Sequence, residues 1–87
     1  MRAGNLGDVL AGAMQTFGEL TRLPVESVSR IEPVDGGWQV NFEVVELERI
    51  PHLTDVLASY EVDIDEEGGL RAWRRVRRYL RKEQGEG

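Results

Sequence analysis

The chain has 87 residues, no cysteine and a formal net charge of −5, which describes one small domain without a disulfide framework or a Cys-containing metal site. No run approaches the roughly 18 apolar residues of a membrane span, and the spaced apolar positions behind a single basic residue, Arg2, argue against a signal peptide. The chain is read as cytoplasmic. Its charge is segregated: residues 1–69 hold fourteen acids and four arginines, whereas residues 70–82 hold six arginines, one lysine and no acid. Such a field can steer a partner, or it can be satisfied within the fold.

Taken in chain order, Leu6, Val9, Leu10, Ala13, Met14, Phe17 and Leu20 recur at steps of three and four. They predict a helix over Leu6–Thr21 with one apolar stripe. Asn5 is its N-cap, and Asp8 favours the positive end of the dipole. Gly7, Gly12 and Gly18 each weaken the helix by about 1 kcal/mol relative to Ala, so it needs a sheet to pack on. Pro24 ends the helical pattern.

A first strand is expected over Glu26–Glu32, followed by a hairpin turn at Asp35-Gly36-Gly37. Trp38, Val40, Phe42 and Val44 then alternate with Gln39, Asn41 and Glu43, the clearest strand signature in the chain. At Val45 and Leu47 the apolar phase slips. A β-bulge explains this, as does burial of both faces near the strand end. Arg49–Asp55, with Pro51, reads as a loop. Val56–Ile64 reads as a strand with Ala58, Tyr60, Val62 and Ile64 on one face, and Asp65–Gly69 as a turn.

Leu70–Arg81 is open to two readings. A helix would cluster Leu70, Trp73, Val76 and Leu80; a strand would make a hairpin with its predecessor across the Gly-containing turn. The strand is the preferred reading. Its simplest register sets Ile64 against Leu70, Val62 against Ala72 and Asp63 against Arg71, with Trp73 on the outer face. The expected architecture is α+β: an N-terminal helix packed on a four-stranded antiparallel meander, one domain over residues 1–82, with a flexible tail at 83–87.

Catalytic and metal constellations are hard to find. His52 is the lone histidine, in a loop, with no Ser, Cys or His partner at a known spacing. Asp63, Asp65, Glu66 and Glu67 lack the spacing of a calcium loop. No phosphate-binding glycine motif or nucleophile elbow occurs. No catalytic residue, cofactor or metal is therefore assigned, and an enzyme is not the expected reading. The segment RAWRRVRRYLRK has the functional pull. Arg71, Trp73, Arg75, Arg77 and Arg78 are candidate partner-binding residues. Phosphate and base recognition would suit arginines interleaved with aromatics, but the acidic remainder of the chain repels a polyanion. Pairing with the acids of the preceding strand and binding of an acidic protein are the other two readings.

The series Gly37-Trp38, Glu43-Val44-Val45-Glu46-Leu47, Arg49, Pro51, Asp55-Val56-Leu57, Tyr60-Glu61-Val62, Asp65, Gly69, Arg75 and Arg77-Arg78-Tyr79 resembles the gas vesicle protein O family. The resemblance spans about Pro24 to Arg81. It implies an accessory role in forming gas vesicles, without catalytic residues to carry over, through contacts with other accessory or wall proteins. It also implies association with gas vesicles. The alternative is a nucleic-acid-binding regulator of gas vesicle gene expression using segment 71–82. A small-ligand module in the groove between helix and sheet is a third reading, with no ligand specified.

Overall fold

The computed structural model describes residues 5–84, apart from the side chains of Glu83 and Gln84. Helix α1 spans Leu6–Thr21 as expected, and the Asn5 side chain accepts the Asp8 backbone N–H at 2.9 Å. The helix stops at Arg22, a left-handed residue (φ 64°) whose N–H bonds to the Gly18 carbonyl. Four antiparallel strands follow in meander order: β1 Val25–Val34, β2 Gly37–Leu47, β3 Val56–Asp65 and β4 Leu70–Leu80. The expected first strand is thus extended at both ends. Between β2 and β3 lies a short 3₁₀ turn, His52–Thr54, entered through a cis Ile50–Pro51 bond.

The β1–β2 turn depends on glycine. Gly36 has φ 83°, and a Cβ on Gly37 would stand 1.9 Å from the Ile64 carbonyl oxygen. Only a residue without a side chain lets β3 approach there. Along β2, Val40, Phe42 and Val44 are fully buried and pack with Val9, Ala13 and Phe17 of α1 and with Ala58, Val62 and Ile64 of β3. Phe17 is the hub of this layer. Its ring meets Phe42, Tyr60 and Trp73 edge-on at centroid distances of 5.4, 5.5 and 5.7 Å.

The phase slip in β2 is a bulge. Val45 pairs with Leu57 and Leu47 with Val56, so Glu46 is the extra residue. The last element is a strand, but its register differs from the simplest one. Ile64 does face Leu70, yet Asp63 faces Ala72 and Val62 faces Trp73, because Arg71 is extra. A one-residue insertion exchanges the faces of everything beyond it. Trp73 therefore lies on the helix side against Phe17, not on the outer face, and Asp63 is not opposite Arg71. A second extra residue, Val76, separates the Tyr60–Arg75 and Ser59–Arg77 pairs. After β4 the backbone makes one helical turn, α2 Arg81–Gln84. The remainder of the expected tail, residues 85–87, lies outside the described residues.

Candidate functional site

The arginines of β4 do not form one surface. Arg75 and Arg78 fall on the helix-side face, opposite Tyr60 and Ala58, and both reach the bulged Glu46, at 3.2 and 3.1 Å. Tyr60 joins the same carboxylate at 3.5 Å. Arg74 and Arg77 fall on the open face: Arg74 pairs with Glu61, and the Arg77 guanidinium lies 4.4 Å above the Tyr79 ring. Arg71 lies by the sheet end, near Asp65 and Gly36. Arg81 closes a separate cluster, bonding Glu26 at 2.6 Å and Asp55 at 3.2 Å. Of the sequence candidates, the structure brings together Arg75 and Arg78, puts Trp73 on their face, and leaves Arg71 and Arg77 apart from them. Internal pairing accounts for Arg74, Arg75, Arg78 and Arg81.

One constellation went unnoticed in the sequence. On the open face, where no helix covers the sheet, the Glu43 carboxylate accepts hydrogen bonds from Ser29 (2.5 Å), Ser59 (2.6 Å) and Tyr79 (2.5 Å). Each strand contributes one residue: β1 Ser29, β2 Glu43, β3 Ser59 and β4 Tyr79. Glu43, Ser59 and Tyr79 are only 8, 5 and 6% exposed. They floor an open depression of about 560 Å³ edged by Arg30, Val76 and Arg77.

Burial pushes the Glu43 carboxyl up, but the three hydroxyl donors and the Arg77 charge outweigh it and hold the group below its ordinary 4.5. The Tyr79 phenol moves the other way, raised by burial and by its bond to the charged Glu43. These shifts carry both groups away from the near-neutral range in which a side chain serves as a general acid or base. The arrangement is a polar clasp across four strands. No sequence signal pointed to it, because Ser29 and Tyr79 reach Glu43 only through extra residues in β1 and β4.

Bulges recur as the source of cross-links. The residues extra to the β1–β2 ladder are Glu26 and Ser29, and in β2–β3 the extra residue is Glu46. They hold Arg81, Glu43 and the Arg75–Arg78 pair respectively. A residue outside the ladder is free to turn sideways, so the interruptions in this sheet are where strands are tied by side chains.

At the other connection, Asp55 accepts the Arg49 backbone N–H at 2.7 Å and the Arg81 guanidinium. The backbone bond and Arg81 hold its carboxyl low despite burial. His52 is largely exposed, with Nδ1 3.4 Å from Asp55 Oδ2. Among the described residues, no helix is long and apolar enough to cross a membrane, and no three His, Cys, Asp or Glu side chains converge as a metal site.

Compared with known proteins, the chain matches the family model described as gas vesicle synthesis protein GvpO over residues 2–85. The chain belongs to the GvpO family. Gas vesicle protein O of Streptomyces sp. (strain CB03234) is 51% identical over 73 residues, which is 84% of this chain and 57% of that protein. Gas vesicle protein O of Haloferax mediterranei is 29% identical over 82 residues, 93% of this chain and 59% of its own length. Gas vesicle protein O1 of Halobacterium salinarum is 27% identical over 81 residues, 93% of this chain and 68% of its own. The chain thus spans somewhat over half the length of the first two relatives. No solved structure matches it. Membership of the GvpO family supports a role in gas vesicle formation.

Proposed function

We propose that this chain serves gas vesicle formation as a non-catalytic module that contacts other gas vesicle proteins, accessory or wall, in the cytoplasm and in association with the vesicles. One observation carries the contact reading. Strand β4 is a sheet edge whose Trp73 and Val76 stay partly exposed between arginines that keep half of their surface in water. Aromatic and arginine side chains in that combination are the common anchors of protein interfaces. The non-enzymatic reading is supported by the clasp: its polar groups satisfy one another and are shifted away from neutral pKa values.

Nucleic-acid regulation draws less support than it did from the sequence. The arginines divide between two faces and most meet acids, so they do not line one track for a phosphate backbone.

Capture experiments against the proteins encoded beside this one test the proposal. Glutamine at positions 75, 77 and 78 is the informative change, since a glutamate at 77 would face Glu43 and disturb the fold. The folded triple variant is expected to lose partner capture by about tenfold. Undiminished capture of every partner would remove these arginines from the interface.

A further inference from the structure

Two features at opposite ends of the sheet are left unused by that reading. At one end the last residue of β2, Leu47, and Ile50 and Leu53 of the connection that follows are substantially exposed, with Ile50 99% exposed. Single exposed apolar residues are ordinary, whereas three within seven residues at one end of the sheet are a candidate contact surface. The tip is also held in place. Thr54 bonds the Pro51 carbonyl through both its N–H and its hydroxyl, at 3.0 and 2.7 Å. Asp55 bonds His52 O, Arg49 N–H and Arg81. A connection ordered by this many bonds presents Ile50 as a fixed knob.

At the other end lies a depression of about 470 Å³ lined by Val34, Asp35, Trp38, Asp63, Ile64 and Ala72, with Arg71 at its rim. Its lining is mixed, with apolar surface of Val34, Trp38 and Ala72 beside the acids Asp35 and Asp63, and the adjoining turn adds Asp65, Glu66 and Glu67. The knob carries the opposite sign next to its apolar tip. Arg49 precedes Ile50 and has no acid within ion-pair distance among the described residues. Glu48, beside it, would find Arg71.

We propose that a second copy of this chain inserts Ile50 and Leu53 into this depression, so that copies associate head to tail. Three facts favour the occupant being another copy. Arg49 and Glu48 match Asp35, Asp63 and Arg71 in charge, and Ile50 and Leu53 would meet the apolar surface of Val34 and Trp38 in the depression. The meander puts the two features at opposite ends of a molecule 45 Å long, so one copy cannot satisfy itself. Lateral joining through strand edges is discouraged, because β1 carries Pro33 and two register shifts and β4 carries two more. The contact joins two different surfaces, so it adds copies in a row instead of closing a two-fold dimer.

Sedimentation velocity on the full 87-residue chain tests this. A contact of this size is weak, so the average mass should rise above 9.8 kDa only between about 10 µM and 1 mM, and should fall with added salt. The variant I50D/L53D loses the knob and V34E/A72E loses the depression; each alone should remain monomeric. Mixed together, each keeps one sound end, and they should form a 1:1 dimer and nothing larger. Folding of each is checked by its melting curve; if a double variant is unfolded, the milder I50S replaces the knob variant and D35K, at an exposed lining residue, replaces the depression variant. A wild-type chain that stays monomeric to 1 mM overturns the proposal, as does a mixture that fails to pair. Association that survives loss of the depression points to knob-to-knob contact or another site and overturns it equally.

Discussion

On its covered face the sheet packs Val40, Phe42, Val44, Ala58, Val62 and Ile64 under Val9, Ala13 and Phe17 of the helix. On its open face it gathers Ser29, Ser59 and Tyr79 around the carboxylate of Glu43. The covered set and the Glu43, Ser59 and Tyr79 side chains are buried, whereas Ser29 stays exposed at the margin of the open face. The first set is held by shape and apolar area, which are non-directional and tolerate conservative swaps. The second is held by directed bonds to one acceptor, and loses several at once if that acceptor goes. Among the described residues, one long helix serves a sheet with two faces. The uncovered face is ordered by polar cross-links where a second apolar layer is missing.

Five substitutions test the difference between the two faces. The largest effect is expected from Phe17→Ala, which empties the hub of the covered face and should cost about 3–5 kcal/mol in denaturant unfolding. Glu43→Ala comes next. It removes the acceptor shared by Ser29, Ser59 and Tyr79, two of them buried, and should cost about 2–4 kcal/mol, more than an apolar truncation at a surface-facing strand position would. A loss near zero would show that the clasp is incidental to the sheet.

The same carboxylate makes a pH prediction. Because the folded state holds Glu43 below its ordinary value, its contribution is present above about pH 4.5 and is lost as pH falls through the lowered folded value. Asp55 and Asp65 are lowered too and act in the same direction. Thermal unfolding followed from pH 6 down to pH 2 should therefore show falling stability, and Glu43→Gln should flatten that slope without abolishing it. Tyr79→Phe deletes one bond to the carboxylate while keeping the ring under Arg77, and should cost about 1 kcal/mol. The smallest effect belongs to Glu46→Gln. Arg75 and Arg78 are about half exposed, so losing that pair should change stability by less than about 1 kcal/mol. A large loss there would mean that the helix-side ion cluster, and not the clasp, ties β4 to the sheet.

Local patterns made much of this legible. The three- and four-residue spacing of Leu6–Leu20, Asn5 ahead of it, the alternation of Trp38–Val44 and the glycines at 36 and 37 are each written within a few residues. They gave the helix, its cap, the central strand and the hairpin, because helix period, strand period and turn conformation are short-range properties. The irregularity after Val44 was legible as a change of phase, though not which residue it would expel. The ordered series of family residues was visible in the same way.

What the chain could not state locally was which residues leave the ladders. Arg71 and Val76 look like any other members of β4, and their exclusion is decided by neighbours that lie far along the sequence. Trp73 has to turn inward to complete the ring cluster at Phe17, and Tyr79 has to turn outward to reach Glu43. An uninterrupted strand gives residues 73 and 79 the same face, since they are an even number apart, so one extra residue between them is required. The sequence determined the elements and their order; only the packed sheet decided the register. That register splits the arginine run between two faces and builds a four-strand clasp around Glu43.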